Sequence, residues 1–261
     1  MPAVLESAEV ETQSLESHEE APGRWLMFIY APVALFSLKA PWATSTAGKT
    51  LLTPTFYAVK MAFLDAALLS KLVSDPEPFV RNLAKARLRI GLPQHACVTE
   101  TVQRIRQETR EADRLQTPEL PPYRPNVAFR EIVHYQGDLR FAFDCSTCSD
   151  SLLRKLIQVA PAINYIGRRG SFIQYLEQVE QSALDATFTA PAKENAGPAW
   201  GHRASLDDFG PNASFDALNS YTPTQIERGV HRIFVETHVP LGIRNMGAGF
   251  THYALAPSGT L

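Results

Sequence analysis

The chain has 261 residues, 45% of them hydrophobic and 20% charged, and a net charge of −2. A domain of this size buries roughly three quarters of its unfolded surface, so neither disulfides nor metal are needed to hold it. No apolar run reaches the roughly 18 residues of a membrane span, no basic-then-apolar leader opens the chain, and there are three Cys; together these predict a reduced, cytoplasmic protein and exclude a fibre, a membrane protein and a disulfide scaffold.

Residues 1–20 contain Glu6, Glu9, Glu11, Glu16, Glu19 and Glu20 and no Lys or Arg. This reads as a flexible acidic extension, with 1–22 as its extent. Removing its six negative charges from the net −2 leaves +4 for residues 21–261, a mildly basic body compatible with a polyanionic partner. A single domain is expected over 23–256, followed by a short tail at 257–261.

Trp25–Tyr30 and Val33–Leu38 form one apolar run of strand formers, predicting a long buried strand. A turn-prone stretch over 40–50 follows. Pro54 suits the first position of a helix running to about Val73, with Thr53 as its cap. A second helix is expected over 77–87, with Arg81, Lys85 and Arg87 on its polar side. Residues 89–107 mix helix and strand formers and lean to strand. Pro118, Pro121, Pro122 and Pro125 make 116–126 a loop. Val127, Phe129 and Val133, then Leu139, Phe141 and Phe143, alternate on either side of Gln136-Gly137-Asp138, predicting a β-hairpin. Ser149 or Asp150 caps a helix whose face is Leu152, Leu153, Leu156, Ile157 and Ala160, stopped by Pro161. Phe172–Leu176 is strand-like. Residues 184–224 read as a long irregular insertion, and strands return at about 230–238 and 250–256. Strand, helix, strand, then hairpin, helix, strand predicts an α+β chain of ferredoxin-like character with an antiparallel sheet.

Four segments could carry chemistry. Ala43-Thr44-Ser45-Thr46-Ala47-Gly48-Lys49-Thr50 approximates a phosphate loop, with Lys49 on phosphates and Thr50 on Mg²⁺, but the first Gly is missing and Pro54 falls where the helix should open. Cys145-Ser146-Thr147-Cys148, between a strand and a helix, has the spacing of a dithiol, without a second Cys pair for a zinc site. Asn164-Tyr165-Ile166-Gly167-Arg168-Arg169-Gly170-Ser171 sets two Arg between Gly residues beside Tyr165, Phe172 and Tyr175, a combination suited to single-stranded nucleic acid. The glycine-rich stretch 242–249, with Arg244 and Asn245, could turn several backbone amides toward one anion. The seven His show no ligand spacing and no G-x-S-x-G turn is present; His134 and His252 are the least easily set aside.

Taken in order, Trp25–Leu38, the polar loop, Thr53-Pro54-Thr55-Phe56-Tyr57-Ala58-Val59-Lys60, Asn164–Phe172 and Gly242-Ile243-Arg244-Asn245-Met246-Gly247-Ala248-Gly249-Phe250 resemble the CRISPR-associated RAMP superfamily, and within it the fifth Cas protein family of type I Cascade complexes. The resemblance covers roughly 24–256. It implies an RRM-like core that binds and caps the 5′ handle of a crRNA, touches the backbone and large subunits, and meets target DNA through the assembled complex. The residues it carries over are Lys39, Trp42 and Lys49, then Arg168 and Arg169 with Tyr165, then Arg244 and Asn245. Lys and Arg would neutralise phosphates and Trp42 would stack on a base. No catalytic residue, cofactor or metal ligand is assigned. Two other readings stay open: a metal-free processing endonuclease of the same superfamily with His134 as general base, and an NTP-dependent enzyme built on Lys49.

Overall fold

The computed structural model describes residues 23–40, 47–192 and 200–256. The acidic extension, the 257–261 tail and Trp42 lie outside the described residues.

The strands and helices run β1 (Trp25–Pro32), β2 (Ala47–Gly48), α1 (Phe56–Leu69), α2 (Pro76–Lys85), β3 (Leu88–Gly91), β4 (His95–Glu108), α3 (Glu111–Gln116), β5 (Tyr123–Gln136), β6 (Leu139–Asp144), α4 (Asp150–Val159), β7 (Ile173–Gln181), β8 (Ala190–Pro191), β9 (His202–Phe209), α5 (Phe215–Leu218), β10 (Arg232–Val239), β11 (Gly242–Gly247) and β12 (Phe250–Ala254). They form three sheets, ordered β3-β6-β1-β7, β8-β10-β9 and β11-β12-β4-β5-β2. In the first, β6 lies antiparallel between β1 and β3, and β7 pairs antiparallel on the other side of β1. With α1 and α2 linking β1 to β3 and α4 linking β6 to β7, this is the strand order of a βαββαβ ferredoxin-like unit. The chain is α+β, as its sequence predicts.

Both faces of this sheet are buried, which is why β1 reads as a continuous apolar run rather than an alternation. Phe28, Phe63 of α1 and Phe143 pack with ring centroids 5.2–6.1 Å apart on the helical side. Trp25, Met27 and Ala142 are closed off on the other side by Phe188. Tyr30 donates its hydroxyl to the Ala160 carbonyl at 2.9 Å, tying the strand to the end of α4.

Several boundaries differ from the sequence reading. The first strand stops at Pro32. Val33 and Leu35 are exposed, and Phe36 crosses to the five-stranded sheet, exchanging backbone hydrogen bonds with Val133 at 2.8 and 2.7 Å. Helix α1 is capped by Thr55, whose hydroxyl accepts from the Ala58 amide, so Pro54 lies before the helix. It ends at Leu69, where Lys71 takes φ +55° and the amides of Lys71 and Leu72 return to the carbonyls of Leu68 and Ala67, a Schellman closure built without glycine. Helix α4 is capped by Ser149 as expected.

The expected hairpin is the main correction. β5 and β6 do not pair: Gly137, at φ +108°, passes the chain from one sheet to the other. β6 takes β3 as partner, Leu88 opposite Phe143, and β5 takes β4 in register from His95 opposite Gln136 to Glu108 opposite Tyr123. Residues 89–107 are therefore the end of one strand and most of another. Pro125 stands within β5 opposite Arg106, beyond the reach of β2, where its missing N–H costs no ladder bond.

Two further readings change. The 184–224 insertion contains β8, α5 and β9, whose Ala204, Leu206 and Phe209 are buried. The stretch 242–249 is a strand and a tight turn. Gly249 is its positive-φ residue, at +80°, and Gly242 leaves room for Trp200, whose Cε2 would lie 2.7 Å from an added Cβ. An extended strand does not converge its amides on one anion, so no nest forms there.

Candidate nucleic-acid interface

A cavity of about 590 Å³ opens between α1, the β2/β5 edge of the five-stranded sheet, the β9/β10 pair and the 167–168 turn. Its lining includes Lys39, Lys49, Arg130, Arg168 and Arg232, against the single carboxylate of Asp207. The cations arrive from separate segments. Lys39 and Lys49 flank a short antiparallel contact in which Ala40 donates to the Lys49 carbonyl and Leu51 to that of Leu38. Arg130 comes from β5 and Arg232 from β10. Arg168 stands in a tight turn closed by the Ser171 amide on the Arg168 carbonyl at 3.0 Å, with Gly167 and Gly170 at φ +68° and +105°.

These five cations are not equivalent. Arg232 donates its Nε to Asp207 at 2.6 Å and lies over the Tyr57 ring at 4.4 Å, so it is held flat against the cavity wall. Lys49 contacts Glu131 and, at 3.3 Å, Glu100. Glu100 and Glu131 are directly opposed on β4 and β5, where two like charges repel. Lys49 bridges them, and its hydrogen bond to Glu131 raises its pKa above the ordinary lysine value. Arg130 lies across Gly48, where a Cβ would come within 2.5 Å of its Nη1. Among the described residues, Lys39, Arg130 and Arg168 have no ion-pair partner. Phosphates are the anions these three could take.

Beneath the cavity, Lys60 of α1 is fully buried and paired with Asp208 at 2.8 Å. Burial pushes the Lys60 pKa down and that of Asp208 up.

Next to the cavity, β4 and β5 continue past the core as a two-stranded ribbon. Val102 opposes Phe129, Arg104 opposes Val127 and Arg106 opposes Pro125. These residues share one face. Val102 and Phe129 are 64% and 57% exposed, so aromatic and aliphatic groups alternate with guanidinium groups in solvent.

The other expected residues are placed as follows. Arg169 is exposed at the tip of the 168–171 turn, outside the cavity lining. Tyr165 donates its hydroxyl to Asp65 at 3.2 Å and is turned toward α1. Arg244 and Asn245 lie on β11, three strands from β5, and do not line the cavity. His134 is exposed on β5. The phosphate-loop reading is not supported locally. Lys49 is engaged by carboxylates, the Thr50 hydroxyl accepts from the Leu38 amide at 3.0 Å, and helix α1 begins only at Phe56. Cys145 and Cys148 are free thiols, and burial raises both, Cys148 to about 11, opposite to what a reactive dithiol requires. Among the described residues, no group of three His, Cys, Asp or Glu is arranged to hold a metal ion.

Sequence reasoning missed Arg130, Arg232, Tyr57 and the ribbon. Arg130 and Arg232 stand singly among the cations of their strands and carry no local motif. The ribbon's signal was present in the alternation around Phe129, which was assigned to the wrong partner strand.

No family model and no curated protein matches the chain. Among solved structures it is similar to a CRISPR protein from Archaeoglobus fulgidus. That match has a TM-score of 0.45 and 11% identity, covering 90% of this chain and 92% of the other.

Proposed function

We propose that this chain is a non-catalytic RNA-binding subunit of a CRISPR Cascade surveillance complex, holding the 5′ handle of the crRNA and capping one end of the assembly against its backbone and large subunits. The observation that carries the reading is the convergence of Lys39, Lys49, Arg130, Arg168 and Arg232 on one cavity beside an exposed ribbon bearing Phe129, Val102 and Arg104. Single-stranded RNA needs both: cations along its phosphates and flat apolar groups for its bases. The order of sequence segments shared with the fifth Cas protein family, and the ferredoxin-like strand order, support the same reading. No described helix is long and apolar enough to cross a membrane.

Lys39, Arg130 and Arg168 act on phosphates in this scheme, Phe129 stacks on a base, and Arg244 and Asn245 make a separate contact at the far sheet edge. The test is to recover and sequence the RNA that co-purifies with the chain, alone and with neighbouring subunits. RNAs of one uniform 5′ sequence are expected, bound in a salt-dependent manner. Recovery of heterogeneous RNA, or of none in either preparation, defeats the proposal. Site-specific cutting of a repeat RNA in the presence of chelator defeats its non-catalytic part.

A further inference from the structure

The cavity holds more positive charge than its own walls neutralise. Asp207, its one lining carboxylate, is taken by Arg232, whereas Lys39, Arg130 and Arg168 have no ion-pair partner among the described residues. The chain carries the complementary charge itself. Glu6, Glu9, Glu11, Glu16, Glu19 and Glu20 give residues 1–20 six carboxylates and no cation, joined directly to a mildly basic body.

Reach separates these carboxylates into two groups. The chain enters the fold at Arg24, whose carbonyl accepts from the Cys145 amide. From there β1 runs toward the cavity end of its sheet: Pro32 stands opposite Ile173, which follows the turn holding Gly167 and Arg168. The eight residues of β1 put its two ends about 23 Å apart at about 3.3 Å per residue. The cavity lies past the Pro32 end, so a segment entering at Arg24 must span roughly 30 Å to fill it. Extended chain covers at most about 3.3–3.6 Å per residue. Glu16, Glu19 and Glu20 lie within eight residues of Arg24 and reach at most about 29 Å at full stretch. Glu11, Glu9 and Glu6 lie 13, 15 and 18 residues away and reach about 43 Å or more.

We propose that the distal part of the acidic extension, with Glu6, Glu9 and Glu11, docks in this cavity in the RNA-free chain and pairs with Lys39, Arg130 and Arg168, so that RNA must displace it. The displacement rests on the RNA-binding reading above; the docking does not. Exposed ion pairs are individually weak, but a tethered segment meets its site at an effective concentration on the order of millimolar, so weak pairing is enough to occupy it. RNA, with a phosphate at every nucleotide, displaces three carboxylates, whereas a sparsely charged anion does not. The extension thereby sets a threshold for what enters the cavity.

The test uses the full chain at low salt without RNA. A water-soluble carbodiimide joins a carboxylate to an amine that it touches, and Lys39 is the cavity's exposed amine without a carboxylate partner. Peptide mapping is expected to recover Lys39 joined to Glu6, Glu9 or Glu11, in a yield that falls as salt is raised. Lys71 and Lys85 are exposed amines elsewhere, and Lys71 follows the end of α1 remote from the cavity. Absence of the Lys39 product, or equal yields at Lys71 and Lys85, overturns the docking. E6Q, E9Q and E11Q together should tighten single-stranded RNA binding by about three- to tenfold, and E16Q, E19Q and E20Q together by much less. An equal gain from both sets signifies general repulsion of RNA and also overturns the docking. The Lys39 product in a chain that binds no RNA upholds the docking and defeats the RNA-binding reading instead.

Discussion

The four-stranded sheet and the β4/β5 ribbon are both antiparallel, both rich in strand formers, and different in what they bury. In β1 the residues from Trp25 to Phe28 are all buried, because α1 and α4 cover one face and the Phe188 segment the other. Along β4 the same chemistry changes character part-way: Ala96 and Val98 are buried, whereas Val102 and Ile105 on the same strand are exposed. Apolar side chains in the first sheet hold the fold, while those at the ribbon tip contribute little to it and remain available to a ligand. Stability and binding should therefore respond to different substitutions.

Phe63→Ala, inside the Phe28–Phe143 cluster, should lower unfolding stability by about 3–5 kcal/mol, read by chemical denaturation. Asp208→Ala should cost about as much, since it leaves Lys60 charged, buried and unpaired, whereas Lys60→Met combined with Asp208→Leu should recover most of the loss. On the ribbon, Phe129→Ala should change stability by less than about 0.5 kcal/mol yet weaken single-stranded RNA binding by about 1–3 kcal/mol. A Phe129 variant that unfolds as readily as the Phe63 variant would break the contrast. Arg130→Ala and Arg168→Ala should each reduce the slope of log affinity against log salt by about 0.7, and an unchanged slope would remove that arginine from the interface.

The smallest effect concerns the core thiol. Burial raises Cys148 to about 11, above its unfolded value. The stabilisation is present below the unfolded pKa and is lost as pH rises through about 11. Native-state alkylation should accordingly stay slow at neutral pH and accelerate toward that value; a plateau reached by pH 9 would contradict the burial.

Much of this architecture was legible in the sequence. The alternation of strand and helix gave the ferredoxin-like order, and Ser149 with Pro161 bounded α4, because caps and proline act locally. The partner of β6 was not legible. Alternation records which face is buried, not which strand lies alongside, and β5 sits next to β6 in sequence while belonging to another sheet. The candidate site divides in the same way. Arg168 was flagged by its glycines and Lys49 by its loop, but Arg130 and Arg232 reach the cavity only through long-range pairing. The carboxylates that engage Lys49 come from β4 and β5, 51 and 82 residues away.

The ribbon also bears on the order in which the molecule assembles. In a minimal βαββαβ unit the two middle strands are joined by a tight turn, whereas here everything from Leu92 to Leu139 intervenes between Gly91 and its neighbour across the ladder, Arg140. Closing a span some twentyfold longer than a two-residue turn costs about 2–3 kcal/mol more in chain entropy. Zipping β4 onto β5 first removes most of that cost, because their register ends at His95 opposite Gln136, a few residues from both β3 and β6. Formed early, the arm would act as a splint for the central sheet, and slowing its formation is then expected to slow folding of the whole chain.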